Sequence, residues 1–201
     1  MKDRNEALSS YVSDMLSLEE HIAKAIRSQV EDLKDHPAVT AELRSILGTI
    51  DNHADALKGV LDGRGGNGAT AIKRAGSTLL GWAAGAIDLV RSEGLPKNLR
   101  DDYTASSLAA IGYVMLYTTA RSLEEPAVAD VALRHLRDYA RVVMLLHNVI
   151  PGAVIQFLQE EGLPATDAHL PEIARELETL WQEVGESVPE ADEVPAPGGR
   201  R

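Results

Sequence analysis

The sequence predicts an all-α protein made of two helical hairpins joined by a long crossover, and three observations carry that prediction. Apolar residues recur at steps of three and four through segment after segment, and no segment alternates as a half-buried strand does. Aromatic residues make up only 4% of the chain, with a single Phe, which suits an Ala/Leu/Val helical core better than a β-sandwich. Stretches rich in Pro and Gly separate the periodic segments, so each helix has a place to stop.

Helix one is expected from about Lys2 to Leu33, on a stripe of Leu8, Tyr11, Val12, Met15, Leu18, Ile22, Ile26, Val30 and Leu33. "KDHPAV" breaks it at Pro37. Helix two, about Val39 to Leu61, follows on Leu43, Ile46, Leu47, Ile50, Leu57 and Leu61. So short a connection makes the two helices antiparallel neighbours. "DGRGGNGAT" is a loop whose Gly63, Gly65 and Gly68 fit G-x-G-x-x-G, but the dinucleotide motif needs a strand before it and a helix stands there. A small-residue amphipathic helix is expected next, on Ile72, Leu79, Trp82, Ala86 and Val90, with "SEGLPKN" ending it. Helix three, about Asp101 to Leu123, is apolar almost all round and is expected to be the most buried of its bundle. Helix four, about Val128 to Gln159, holds Pro151 and Gly152, which should kink or split it. A last helix, about Leu170 to Val184, opens with Pro171 in its first turn. The element order, two hairpins with one long crossover, is the ferritin-like bundle connectivity. The expected organisation is a bundle over residues 1–162, a C-terminal helix over 163–185 packed on it, and a disordered Pro/Gly/charge-rich tail over 186–201.

Composition excludes several functions. A net charge of −11 is the wrong sign for nucleic acid or an anionic membrane surface. With no cysteine, disulfides, thiol catalysis and Cys-based zinc sites are excluded. No apolar run is expected to approach the roughly 20 residues of a membrane span. The polar start "MKDRNEALSS" lacks a signal-peptide core, and the cytoplasm is the expected compartment. No G-x-S-x-G occurs to support nucleophilic hydrolase chemistry.

"DMLSLEEHIAKAI", Asp14 to Ile26, resembles the first helix of the YciF-like, stress-associated branch of ferritin-like proteins, with Asp14, Glu19, Lys24 and Ala25 coinciding. "LGTIDNHADAL", "STLLGWAAGAIDLV" and "DDYTASSLAAIGYVMLYTTA" stand where that family has its second, crossover and third helices, so the resemblance spans residues 5–160 as an architecture. It implies a two-metal centre, iron or manganese, held by a Glu from each of two helices and a Glu-x-x-His from each of the other two. On this match Glu19 falls on the helix-one ligand.

Helical geometry places Glu19 roughly 40° from the centre of helix one's stripe, hence inward. The remaining ligand positions are depleted. The helix-two slot reads Ile50-Asp51-Asn52-His53 and the helix-four slot Ala132-Leu133-Arg134-His135, each keeping the histidine and losing the glutamate. Helix three has no Asp, Glu or His between Asp102 and Glu124. What remains is Glu19, His53 and His135. The helix-one turn near His36 is equidistant from Glu19 and His53, which sets those two level. One carboxylate and two imidazoles suit a single iron, manganese or zinc ion. The same three residues, with tyrosines such as Tyr113, equally suit a buried hydrogen-bond cluster. His21, His36, His147 and His169 read as surface or loop residues.

The expected function is therefore a non-enzymatic ferritin-like bundle with a degenerate metal site and no cofactor, in a structural or binding role that the resemblance places in stress response. The alternative is a metal-dependent oxidoreductase or metal-binding protein. A homodimer or a protein partner is expected, with Leu177 and Trp181 on the last helix as a contact surface.

Overall fold

The computed structural model describes residues 3–33, 36–64 and 94–188, and among them the only regular structure is helical. In order they form α1 (Arg4–Asp32), α2 (Pro37–Asp62), α3 (Leu95–Ser122), α4 (Pro126–Glu160), a 3-10 turn (Asp167–His169) and α5 (Leu170–Ser187). The protein is all-helical, as the apolar periodicity predicts. The expected crossover helix near residues 71–90 and most of the G-x-G-x-x-G loop lie outside the described residues, as does the tail from residue 189. The chain divides into two compact units, Met1–Ile150 and Pro151–Arg201.

In the first unit α1 packs against both α2 and α3. Its inward face is the expected stripe thickened by its neighbours: Leu8, Val12, Met15, Leu16, Leu18, Ile22 and Ile26 are buried, and so are the polar Ser13, Glu19 and Gln29. The α1–α2 turn is closed by Thr40, whose hydroxyl donates to the Leu33 carbonyl at 2.6 Å, while Pro37 presets the first turn of α2. At the far end, Arg4 donates to the Glu124 carbonyl at 2.9 Å, and both Arg4 and Arg64 pair with Glu125. These contacts fasten the start of α1 and the end of α2 to the α3–α4 turn. Gly112 permits a close α1–α3 approach, since a Cβ there would lie 2.7 Å from the Met15 sulfur.

Four expectations need correction. "LPKN" belongs to helix three and begins it. Gly94, at φ 90, supplies a conformation that side chains disfavour, and Pro96 sits in the first turn of α3, so the helix starts at Leu95 rather than near Asp101. Helix three is not buried all round either: Ile111, Val114 and Met115 are 40–53% exposed. Its outward apolar residues hid the side that faces solvent. Third, Pro151 lies inside α4, which is one helix from Pro126 to Glu160, so the expected split does not occur.

α4 is also long and apolar enough to cross a membrane by length and composition, contrary to the expectation that no run approaches that length. His147, Asn148 and Gln156 interrupt the run residue by residue, but the apolar residues around them outweigh them. Within the first unit, α4 turns His135, Tyr139, Val142 and Leu146 into the core.

In the second unit, Gly162 at φ 75 turns the chain after α4. The Thr166 side chain then accepts from the Ala168 N–H to start the 3-10 turn. α5 continues to Ser187, beyond the expected Val184, and leaves Leu180, Trp181 and Val184 roughly half exposed.

A buried carboxylate cluster as candidate functional site

Each of the four described helices with residues in the first unit contributes to one polar cluster. Glu19 comes from the middle of α1, His53 from α2, Tyr113 from α3, and His135 and Tyr139 from α4, where a spacing of four puts both on one face. Glu19 is completely inaccessible, and His53, Tyr113, His135 and Tyr139 are at most 4% exposed. The helical-wheel reading of Glu19 as inward and level with His53 is what the structure shows.

The Glu19 carboxylate accepts three hydrogen bonds. Oε1 takes one from the Tyr113 hydroxyl and one from His53 Nδ1 at 3.1 Å; Oε2 takes one from the Tyr139 hydroxyl at 2.5 Å. Tyr113, whose hydroxyl proton is engaged by Glu19, accepts from His135 Nδ1 at 3.0 Å. The two imidazoles stack with centroids 3.9 Å apart and planes inclined by 15°. The other ring nitrogen of His53 lies 3.2 Å from Oδ2 of Asp138, which is half exposed. His53 thus bridges a fully buried carboxylate and one that reaches solvent.

Burial sets the electrostatics. The His135 ring is pushed down to about 3, first by burial and then by the neighbouring His53 and Arg134, so it is neutral and donates a hydrogen bond from Nδ1 to Tyr113. Tyr113 and Tyr139 are both held well above the usual phenol range, by burial and then by the adjacent Glu19 charge, so both remain hydrogen-bond donors.

A second buried carboxylate lies nearer the start of α3. Asp102 Oδ1 accepts from Gln29 Nε2 at 2.9 Å. Asp102 Oδ2, Gln29 Oε1 and the hydroxyls of Ser13 and Ser106 are buried with no partner. Burial raises Asp102 to about 7, with Asp101 adding to the rise and the Gln29 bond opposing it.

The expected site residues Glu19, His53 and His135 come together, each with a ligand-type atom within 4.8 Å of the others. None of His21, His36, His147 or His169 joins them; His169 is exposed and the other three are half-buried. Sequence reasoning missed Asp138, although its place three residues after His135 puts it on the adjoining part of the same helix face. It also passed over Asp102 as a helix-start residue, because α3 was expected to begin beside it.

A two-metal centre does not fit these residues. Ile50 and Ala132, in the slots that the resemblance assigns to glutamates, are buried apolar side chains, and α3 faces Glu19 with Tyr113. Two ions need about four carboxylates, and this cluster has one at its centre. The donor set of Glu19, His53 and His135 does fit a single ion in number and type.

A family described as a domain of unknown function, DUF892, matches residues 3–159. The crystal structure of a protein from Xanthomonas campestris pv. campestris is similar, with a TM-score of 0.64 at 16% identity over 81% of this chain and 100% of the other. That likeness concerns the fold alone. No curated protein matches.

Proposed function

The chain belongs to the DUF892 family, and on that premise we propose that it is a non-enzymatic member in which a hydrogen-bond cluster replaces the two-metal centre of the ferritin-like architecture. Its role is then structural or binding, in the stress-associated setting of the YciF-like branch. The observation that carries this reading is the state of Glu19. A metal-ligand glutamate offers its lone pairs to ions, whereas this one already accepts from Tyr113, His53 and Tyr139. Two phenols that hold their protons serve as hydrogen-bond donors to the carboxylate, and apolar Ile50 and Ala132 complete the packing. Such a cluster is satisfied internally and holds the four helices in one register. The charge of −11 favours a protein or small-molecule partner over nucleic acid. We propose a cytoplasmic homodimer.

A second reading has its own support. Glu19, His53 and His135 converge closely enough to hold one iron, manganese or zinc ion, and Asp138 on the far nitrogen of His53 is the kind of carboxylate that orients a histidine ligand. The ion would supply Lewis-acid or redox chemistry. The chain's own residues would hold it and keep protons on the tyrosines.

Metal analysis of purified protein, with melting curves in chelator, iron(II), manganese(II) and zinc(II), separates the two readings. The first expects no stoichiometric metal and superimposable curves, because an ion that does not bind the native state cannot shift its stability. About one equivalent of a metal that raises Tm by several degrees, lost in Glu19→Gln, would establish the second.

A further inference from the structure

Two neighbouring hollows between α2 and α4 form a groove with two chemically different ends. One end is a cavity of about 180 Å³ whose walls include Leu43, Ile46, Leu99, Leu146 and Val149. The other is a cleft of about 270 Å³ lined by Ser45, Thr49, Asp138 and Arg141. Glu42, Ile46 and Leu145 border both, so the two adjoin. Each is small for a ligand site alone, but joined they reach the ordinary size range of one.

The apolar end is the size of a compact hydrocarbon. Its volume is near that of an apolar cavity of about 150 Å³ that takes up benzene, so it suits a body of about six to eight carbon atoms. Water gains little there, having almost no polar partner along the walls. The charges at the junction choose the head group. Asp138 is engaged on both oxygens, by His53 at 3.2 Å and Arg141 at 3.4 Å. Glu42 makes no hydrogen bond or ion pair among the described residues, and it stands where the apolar wall gives way to the polar cleft. Glu42 is exposed and has no cation partner among the described residues, and the chain's −11 adds attraction for one.

We infer that the groove between α2 and α4 binds a small amphipathic amine, its hydrocarbon body in the cavity of Leu43, Ile46, Leu99 and Leu146 and its ammonium on Glu42. The site is separate from the Glu19 cluster, and its test does not depend on whether that cluster holds a metal. Asp138 touches both, so occupancy reaches the cluster through His53.

The test titrates n-hexylammonium into the full chain and follows the methyl NMR signals of Leu43, Ile46 and Leu146, with n-hexanoate and 1-hexanol as equal-length controls. Hexylammonium is expected to shift those methyls and the His53 ring signals saturably. Affinity should fall about tenfold in Glu42→Gln and for hexanoate, the scale of losing one charge-assisted contact. Ala38→Phe, at the exposed rim, should close the cavity and abolish the shifts while the melting curve stays cooperative. Equal binding of all three probes would overturn the head-group assignment. No saturable shift, or shifts unchanged in Ala38→Phe, would overturn the site.

Discussion

Two carboxylates are buried along the α1–α3 contact, Glu19 on α1 and Asp102 on α3, and their surroundings differ. Glu19 meets three donors from three other helices. Asp102 meets one, the Gln29 amide, and leaves its second oxygen and the Gln29 carbonyl oxygen without partners. Burial is nearly the same, at 0% and 4% exposure, so burial alone does not decide what a carboxylate does in this core. The supply of donors does. One site is a fastener shared by four helices; the other is a strained pair that a proton relieves, because a protonated Oδ2 becomes a donor itself.

The largest expected effect breaks the first site. Glu19→Ala strands two phenols and an imidazole in the core and should cost about 3–5 kcal/mol, read as a drop in the denaturant midpoint. Glu19→Gln keeps an acceptor toward Tyr113 and His53 and turns an amide N–H toward the Tyr139 oxygen, so its loss should stay below about 1 kcal/mol. Equal damage from both would mean that the negative charge, and not the hydrogen bonding, holds the cluster together.

The second site should show its character through pH. The folded Asp102 keeps its proton up to about 7, whereas the unfolded one releases it near 3.8. Between those values the folded state binds more protons, so the stability contribution is full below about 3.8, falls as pH rises, and is gone above about 7. Asp102→Asn removes that dependence. Relative to wild type it should gain on the order of 3 kcal/mol between pH 4 and pH 8. A stability difference that stays constant with pH would show that Asp102 is ionised in the fold like a surface residue.

His135 gives the opposite slope. Its ring stays neutral down to about 3 in the fold, against 6.5 in the unfolded chain. The unfolded state therefore binds more protons as pH drops, and stability is lost between 6.5 and 3. His135→Gln retains an N–H for Tyr113 and cannot titrate. Chemical denaturation from pH 7 to 4 should show a shallower acid loss for this variant than for wild type, by about 2 kcal/mol. Parallel curves would rule out the neutral, buried His135.

How much of this contrast the sequence revealed depends on what each residue's position rests on. Helical periodicity located Glu19, because the stripe around it is long and unambiguous, and the short turn at Pro37 set His53 level with it. Ile50, Ala132 and the acid-free stretch after Asp102 already read as apolar in the slots that the resemblance assigns to metal ligands, and Ile50 and Ala132 are buried. Asp102 itself stayed hidden because the start of α3 depends on the φ of Gly94, a tertiary fact, and "LPKN" reads equally as an end or a beginning. Asp138 stayed hidden because a charged residue at the edge of an apolar stripe is usually solvated; only the position of His53 on the neighbouring helix reveals its partner. The solvent-facing side of α3 was invisible because Ile111, Val114 and Met115 are as apolar as the buried side.

The smallest expected effects sharpen the comparison most, because they delete one hydroxyl from each region. Tyr139→Phe removes a donor that Glu19 uses and adds no cavity, so it should cost about 1–2 kcal/mol. Ser106→Ala, on α3 one turn beyond Asp102, removes a buried hydroxyl with no partner. Deleting an unsatisfied polar atom relieves a desolvation cost, so this change should be neutral or stabilising by up to about 0.5 kcal/mol. Alanine also favours the helix slightly over serine. The two variants, measured by denaturant unfolding in one buffer, should therefore move in opposite directions. A clear loss in Ser106→Ala, above about 1 kcal/mol, would mean that a water bridges Ser106, Asp102 and Gln29. The second carboxylate would then be as well partnered as the first, and the rise of Asp102 to about 7 would need a cause other than missing donors.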